Sequence, residues 1–277
     1  MPSLLKNIAF IGLGRVGTPI SRHLLKAGYG VTGYDIVREK IGALEPDGLM
    51  SASSPAEAAR AADVIFTMLN HPDIIRQVLY GDDCIVKTAQ PGAIVADMST
   101  MSIAFQKERF AQLSALGFRP FEAPVSGSVP HAEARALTIM GAGDEAVFAE
   151  LRPLFATFGK TVVYMGAAGT GTLMKLLTNL ILGINLAGLL EGLILGQKGG
   201  LKIEGMLEIL KTGAAFSRVM EFKEELLTSR DFTGKLQLTT ELFTKDLRFA
   251  LEAGQELGAT PARGHSIAGP HLRKPSR

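Results

Sequence analysis

The sequence is poor in several residue types, and each scarcity excludes a class of protein. Cys84 is the only cysteine among 277 residues, which rules out internal disulfides and zinc sites built from several cysteines. The formal net charge is only +2, so the chain has no general attraction for nucleic acid or for anionic membranes. Histidines are few, His71 and His131 are isolated, and the sequence shows no cluster of His, Asp and Glu at metal-ligand spacing. No metal site is predicted.

One long uncharged stretch raises the question of a membrane span. Residues 176–190 carry no charge, but Asn179, Asn185 and Glu191 interrupt the apolar run that continues to Leu195. A span needs about 20 predominantly apolar residues. We therefore interpret this stretch as a helix that is buried on nearly all sides within the protein. The first ten residues do not have the pattern of a signal peptide, and we expect a cytoplasmic protein.

What the chain does contain is enough apolar material for a large core. It is 47% hydrophobic and 20% charged, which excludes disorder as the main state. At about 100–200 residues per domain, the length suggests two domains. In the first half, short β-rich runs alternate with helical patterns, which indicates a parallel sheet built from βαβ units. The predicted strands are residues 7–11, 31–34, 64–68, 94–96, 136–140 and 162–165.

The character of the sequence changes after residue 166. From residue 171 onward long helical patterns follow one another without a convincing strand. We predict an α/β first domain over residues 1–165 and an all-helical second domain over residues 166–277, joined by a long apolar helix that begins near Thr172. From Pro261 the chain has no apolar periodicity and ends in a basic run, which is typical of a flexible tail.

A glycine motif follows the first predicted strand. Gly12, Gly14 and Gly17 form G-x-G-x-x-G between a strand pattern and an apolar helix pattern, which is the context that the dinucleotide-binding motif requires. The first glycine permits a tight turn, the second lets the backbone approach a pyrophosphate, and the third lets the helix pack close to the strand. The helix N-terminus then faces the anion. The predicted cofactor cradle is Gly12, Leu13, Gly14, Arg15, Val16 and Gly17.

Asp35 lies eighteen residues beyond Gly17, at the end of the second predicted strand. An acidic residue at this spacing binds the adenosine ribose hydroxyls of NAD, and its charge repels the 2′-phosphate of NADP. We therefore predict NAD as the preferred cofactor. Arg38, three residues later, could still meet a phosphate, so NADP stays open.

Two polar turns follow later strands. Ser99 and Thr100 come directly after Asp97 at a strand end, where open α/β sheets bind their ligands. In the turn of residues 122–128, Gly127 can expose backbone N–H groups to a substrate carboxylate. Each turn alone is typical of an ordinary loop, and the two turns indicate a substrate site only in combination with further motifs.

A lysine on an apolar helix accompanies them. Gly169 and Gly171 open this helix, and Lys175 and Asn179 lie one turn apart on one face. Partial desolvation would lower the pKa of such a lysine and make it a usable proton donor and acceptor. The alternative is a lysine that extends from a core helix into solvent.

Together these motifs resemble the β-hydroxyacid dehydrogenase family, which includes 3-hydroxyisobutyrate dehydrogenase and 2-hydroxy-3-oxopropionate (tartronate semialdehyde) reductase. Residues 12–17, 97–100, 123–127 and 169–179 match family blocks in order and spacing, and 245–247 form a fifth. The likeness covers about residues 6–261. It implies a Rossmann-type NAD(P)-binding domain, a helical domain for substrate binding and dimerisation, and a homodimer or homotetramer.

The resemblance also implies roles for individual residues. Lys175 is the implied catalytic acid/base, and Asn179 the residue that positions the lysine and the substrate. The implied substrate is a small carboxylate-bearing carbonyl or hydroxy acid, held by Ser126 and Gly127, to which we add Ser99 from its place at a strand end. Asp246 receives no chemical role. The implied further cofactor contacts are Leu69, Asn70, Thr100 and Lys245.

The predicted reaction is hydride transfer between a nicotinamide and a short β-hydroxyacid/semialdehyde pair. Ser128 stands where many relatives have glycine, a variation found in the glyoxylate and succinic semialdehyde reductases, which are an alternative. Relatives continue past Pro261 with a further helix, so the atypical tail from about residue 262 suggests truncation or a shifted reading frame. A catalytically impaired nucleotide-binding module is therefore the alternative of another class. Imine reductases share the architecture but generally lack the lysine.

Overall fold

The structure is a computed structural model that describes residues 5–229 and 240–259. The chain forms two compact units, residues 1–175 and 176–277. The domain boundary at 165/166 stays a prediction, and the predicted tail from about residue 262 lies outside the described residues.

The first unit is built around a sheet of nine strands. From β3 to β6 all neighbouring strands are parallel, whereas β8 runs antiparallel to β6 and β7 and parallel to β9. The spatial order is β3-β2-β1-β4-β5-β6-β8-β7, with β9 beside β8. Its first six positions have the strand order of the Rossmann fold, which confirms the predicted fold. The strands are β1 (Asn7–Ile11), β2 (Gly30–Tyr34), β3 (Met50–Ser51), β4 (Val64–Thr67), β5 (Ile94–Asp97), β6 (Arg119–Glu122), β7 (Val125–Ser126), β8 (Leu137–Gly143) and β9 (Gly159–Tyr164).

All six predicted strands are present, and three strands were not predicted. The four residues of β6 include Arg119, Pro120 and Glu122, a composition that hides the burial of three of its side chains. β7 falls inside the predicted polar turn, and β3 and β7 have only two residues each. Two residues are too few to show the alternation by which a strand is recognised.

Helices cover both faces of the sheet. Along β1, Ile8 and Phe10 belong to one buried cluster, and Ala9 and Ile11 belong to the other. This division follows from the alternation of side chains along a strand, and it explains why β1 is apolar throughout. The helices of this unit are α1 (Gly17–Lys26), α2 (Arg38–Gly42), α3 (Pro55–Ala59), α4 (Pro72–Tyr80), α5 (Ile103–Ala115), α6 (Val129–Glu133) and α7 (Glu145–Phe155).

The described residues of the second unit contain helices and no strand, as predicted. A small apolar core joins Leu189 and Leu193 to Leu207, Val219 and Met220. The helices are α8 (Thr170–Lys198), which begins in the first unit, α9 (Ile203–Thr212), α10 (Arg218–Ser229) and α11 (Thr240–Glu256).

The apolar helix α8 differs from its prediction in one respect. Its side chains are not buried on nearly all sides, because Ile181 is 56% exposed and Leu195 is 74% exposed, whereas Leu176 and Leu193 are buried. Only one side of the helix therefore packs on the core. Among the described residues, α8 is the one helix with the length and composition of a membrane span, and one such helix is weak evidence for a membrane protein.

Candidate active site

The predicted site segments that follow β1, β2, β4, β5 and β6 lie along one edge of the sheet, where these strands have their carboxyl ends. At this edge the ladder of backbone hydrogen bonds continues past the strand ends. It aligns the glycine turn with Asp35 and with the segments that follow β4, β5 and β6. The four bonds are Gly12 N–H to Tyr34 C=O (2.9 Å), Met68 N–H to Ile11 C=O (2.9 Å), Met98 N–H to Thr67 C=O (2.8 Å) and Ala123 N–H to Asp97 C=O (2.7 Å).

The three glycines of the turn have different surroundings. Gly12 has a φ of +103°, and a Cβ there would lie 2.3 Å from the carbonyl oxygen of Met68. A Cβ at Gly17 would lie 2.2 Å from the carbonyl oxygen of Gly12, so this glycine is required where helix meets strand. A Cβ at Gly14 would meet no atom within 4 Å. The protein itself therefore gives no steric reason for a glycine at residue 14, and the open space suits a ligand.

The residues between these glycines face different environments. Leu13 is fully buried in the core, so only its backbone can contact a ligand. Arg15 is exposed, and Val16 is half-buried immediately before α1. The start of α1 has no side-chain cap, an arrangement that suits an anion at a helix N-terminus.

Asp35 lies directly after β2 with a nearly buried side chain. Its Oδ1 accepts the N–H of Val37 at 2.9 Å and lies 3.1 Å from Nζ of Lys40. The side chain of Lys40 is 41% exposed, and Arg38 is exposed as well. The carboxylate is thus paired with one basic residue, Lys40, which weakens its repulsion of a phosphate.

A second carboxylate organises the loops after β4 and β5. The side chain of Asp97 is fully buried and accepts hydrogen bonds from the hydroxyl of Thr67 (2.8 Å), the amide of Gln106 (2.8 Å) and the N–H of Ser99 (3.1 Å). The hydroxyl of Ser99 in turn accepts the N–H of Leu69 at 2.9 Å. Ser99 is buried at 3% exposure, so its hydroxyl positions the Leu69 segment. Its predicted substrate contact stays a prediction.

Beneath this edge lies a buried arginine that the sequence reasoning missed. Nε of Arg109 donates to Oε1 of Gln106 at 2.7 Å, and Nη2 donates to the carbonyl of Phe121 at 3.1 Å. Nε also lies 4.0 Å from the carboxylate of Asp97. A buried carboxylate needs such compensation, because an unpaired buried charge is strongly destabilising. The only sequence feature that could have indicated this buried arginine is the spacing of Gln106 and Arg109 at i and i+3 in α5. Such a pair is by itself typical of an exposed helix face.

The remaining predicted residues of the first unit lie at or beside the same edge. Asn70 is exposed after β4, and Thr100 is half-buried after β5. Ser126 ends β7 and pairs with Thr138 of β8. Gly127 follows in an exposed left-handed conformation with a φ of +136°, so its backbone is open on one side.

Glu122, to which the sequence reasoning gave no role, joins the sheet to the start of α8. Its side chain is fully buried at the end of β6. Oε1 accepts the N–H of Gly169, and Oε2 accepts the N–H of Thr172 at 2.7 Å. Burial raises the pKa of this carboxyl, although the side chain of Thr172, the two N–H donors and the charge of Arg109 partly offset the effect. The sequence feature that could have indicated a role for Glu122 is its position as a charged residue between Phe121 and Ala123 in an apolar run.

Lys175 is half-buried at the end of the first unit, three residues beyond Thr172 on the same side of α8. Its helix therefore starts at the sheet edge that carries the glycine turn.

In the second unit, Asp246 links two of the predicted site residues. Its Oδ2 accepts the side-chain amide of Asn179 at 2.7 Å, and its Oδ1 lies 3.0 Å from Nζ of Lys245. Asn179 and Asp246 are both buried, and Lys245 also lies 5.1 Å above the ring of Phe249. The sequence left Asp246 without chemistry, because its partner Asn179 is 67 residues away.

Within residues 5–229 and 240–259, His, Cys, Asp and Glu form no group of three or more that could hold a metal ion.

Comparison with known proteins gives two family matches that together span most of the chain. Residues 7–166 match the NAD binding domain of 6-phosphogluconate dehydrogenase, and residues 169–268 match the NAD-binding domain of NADP-dependent 3-hydroxyisobutyrate dehydrogenase.

Individual relatives cover almost the same range. The chain is 37% identical over 251 residues to 2-(hydroxymethyl)glutarate dehydrogenase of Eubacterium barkeri, covering 90% of this chain and 83% of the relative. It is 33% identical over 254 residues to 2-hydroxy-3-oxopropionate reductase of Escherichia coli, covering 91% and 85%. A solved structure of 3-hydroxyisobutyrate dehydrogenase from Mycobacterium tuberculosis with L-serine matches with a TM-score of 0.85 at 29% identity, covering 96% and 92%.

Proposed function

The chain belongs to the β-hydroxyacid dehydrogenase family and is an NAD(P)-dependent oxidoreductase, and from this premise we propose which residues carry the reaction and on what substrate. The reaction is reversible hydride transfer at the carbonyl carbon of a short semialdehyde that bears a carboxylate. One observation supports the assignment above all others. The helix that carries Lys175 is tied by Glu122 to the sheet edge where the glycine turn lies.

The residues at this edge fit a dinucleotide. The open space at Gly14 and the uncapped start of α1 would receive the pyrophosphate, and Asp35 would bind the adenosine ribose. Leu69, Asn70, Thr100 and Lys245 are assigned to the ribose and nicotinamide end. When bound, the nicotinamide supplies or accepts the hydride. We propose NAD as the preferred cofactor because Asp35 repels a 2′-phosphate, although Lys40 beside it reduces that repulsion.

Lys175 supplies the proton chemistry. As the carbonyl carbon is reduced, negative charge develops on the carbonyl oxygen, and the ammonium of Lys175 stabilises that charge and donates a proton. In the direction of oxidation, neutral Lys175 accepts the proton from the substrate hydroxyl. Such general acid–base catalysis contributes about 10²–10⁴-fold to the rate.

Two sets of residues position the reactants. Asp246 fixes the side-chain amide of Asn179, which stands one helical turn beyond Lys175 and orients the substrate oxygen. The hydroxyl of Ser126 and the exposed backbone of Gly127 hold the substrate carboxylate. Ser99 completes the substrate side, and its buried bond to Leu69 shapes the loop there.

The similar proteins carry names that refer to small hydroxyacids and oxo-acids, and on this basis we place the substrate among short carbonyl acids. A cytoplasmic homodimer or homotetramer is the proposed form of the enzyme.

A kinetic panel tests this function. The purified chain is mixed with glyoxylate, succinic semialdehyde, tartronate semialdehyde or methylmalonate semialdehyde, and loss of NADH or NADPH absorbance is followed. We expect reduced cofactor to be consumed with at least one β-semialdehyde, with higher kcat/KM for NADH. Absence of turnover with every carbonyl acid, despite cofactor binding, would instead support the catalytically impaired nucleotide-binding module.

A further inference from the structure

We propose that Glu122 is a positioning residue for Lys175, an inference that rests on the proposed function of that lysine. Glu122 holds the first turn of α8 against the end of β6 and so sets the place of the lysine amine.

The contacts of Glu122 are those of a helix cap supplied from a distant part of the chain. The first four N–H groups of a helix have no partner within the helix, and a negative charge is favoured beside them. Glu122 accepts hydrogen bonds from two N–H groups at the start of α8, of Gly169 and Thr172, with one carboxyl oxygen for each. The partners are 47 and 50 residues away in sequence. The carboxyl therefore joins the sheet edge to this helix.

Other helices of the first unit are capped differently. Ser54, Ser102 and Asp144 cap α3, α5 and α7, and each is the residue immediately before its helix. Such local caps stabilise a helix without fixing its place on the sheet. A cap from β6 does both, because β6 is held in the sheet by its neighbours β5 and β8.

The same turn also packs directly against β8. A Cβ at Gly171 would lie 2.6 Å from the carbonyl oxygen of Met140, 3.2 Å from Cβ of Ala142 and 3.3 Å from Oε2 of Glu122. The first turn of α8 is thus in close contact with both Glu122 and the backbone of β8. Lys175 follows Thr172 by three residues, which is a rise of about 4.5 Å along the helix. A displacement of this turn therefore displaces the lysine.

The test compares Glu122→Gln with Asp144→Asn, which weakens a local cap of α7 in the same unit. Each protein is mixed with NADH and the best carbonyl acid of the panel in a single turnover, and the rate constant and amplitude of NADH loss are recorded. We expect Glu122→Gln to lower the rate constant roughly 10- to 100-fold, since a misplacement of about 1 Å can cost about 100-fold. NADH affinity should stay within about twofold of wild type, and Asp144→Asn should keep the wild-type rate constant.

The rate constant separates positioning from loss of folded protein. Partial unfolding would lower the amplitude and leave the rate constant of the remaining enzyme unchanged, and this result would overturn the proposal. If Glu122→Gln does not fold, Glu122→Asp keeps the charge but shortens the side chain, so that the carboxyl no longer reaches the N–H groups of both Gly169 and Thr172. The same loss of rate constant is expected there, and a wild-type rate constant would overturn the proposal.

The same single-turnover measurement on Lys175→Ala distinguishes failure of the positioning role of Glu122 from failure of the proposed function. If this variant loses hydride transfer while Glu122→Gln keeps the wild-type rate constant, the positioning role fails and the proposed function stands. If Lys175→Ala keeps hydride transfer, the proposed function fails, and the role of Glu122 fails with it.

Discussion

Substituting alanine for Gly14 should weaken NADH binding without harming the fold. A Cβ at this position meets no protein atom within 4 Å, and the backbone is not in the left-handed region. Replacing glycine at such a compatible position stabilises a protein by about 0.4–1 kcal/mol, because the unfolded chain loses freedom. The apo protein should therefore be as stable as wild type or slightly more so.

The added methyl group would instead occupy space that we assign to the pyrophosphate. Overpacking of a close-fitting site by about one methyl group costs about 1–3 kcal/mol. This range corresponds to roughly 5- to 150-fold weaker NADH binding. The neighbouring glycines should behave differently, because a Cβ at Gly12 or Gly17 would clash with backbone carbonyl oxygens at 2.3 and 2.2 Å and so impair folding itself.

Fluorescence titration with NADH and thermal unfolding of the apo protein measure the two effects separately. Gly205→Ala in α9 is the matched control, since a Cβ there also meets no atom within 4 Å. It should leave NADH affinity unchanged. Wild-type NADH affinity in Gly14→Ala, or a loss of apo stability, would refute the reasoning about this turn.

Three further predictions concern the carboxylates of the site. Asp35→Ala should shift the ratio of kcat/KM with NADPH to kcat/KM with NADH upward by about tenfold, equivalent to about 1.4 kcal/mol, because the repelling charge is lost and Lys40 is released. An unchanged ratio would show that Asp35 does not determine the cofactor preference. Asp246→Asn should lower kcat/KM roughly tenfold or more, since a hydrogen bond to a charged group is worth about 1.5–3 kcal/mol, and activity within twofold of wild type would contradict this. Burial raises the pKa of Glu122, so the folded protein binds this proton more tightly than the unfolded chain. The stability that the carboxyl contributes is complete in acid and is lost as pH rises through the raised pKa. The free energy of unfolding of wild type, measured by chemical denaturation relative to Glu122→Gln, should therefore fall from acid to neutral pH. A difference between the two proteins that does not change with pH would contradict the raised pKa.

Local patterns predicted the parts of the molecule that depend on neighbours in sequence. The strand of residues 7–11 and the glycine turn could be recognised because strand, turn and helix follow one another directly. The position of Asp35 at the end of β2 followed from the same spacing rule. The turn and Asp35 then come together because parallel strands end at one edge of the sheet.

Long-range contacts could not be predicted in this way. Glu122 caps a helix about 50 residues later, and Asp246 binds an amide 67 residues earlier, so neither contact leaves a local pattern. Ser99 shows the same limit. Its place after a strand predicted a ligand contact, which stays a prediction, but no local pattern indicated that its hydroxyl accepts the N–H of Leu69, 30 residues earlier.

The exposed face of α8 illustrates a further limit. Composition alone suggested burial on nearly all sides, because most residues of this helix are apolar. Packing within the second unit covers Leu189 and Leu193 but leaves Ile194 and Leu195 exposed. Hydrophobicity measures how favourable burial would be, and it does not specify which neighbours are present to provide it.

The most direct test of the central claim is the rate of hydride transfer in Lys175→Ala, measured in a single turnover together with NADH affinity. Lys198→Ala, at the exposed end of the same helix, is the control. The account predicts that the Lys175 variant binds NADH as wild type does and transfers hydride about 10²–10⁴ times more slowly, while the control matches wild type. A wild-type rate of hydride transfer without the Lys175 amine would contradict it.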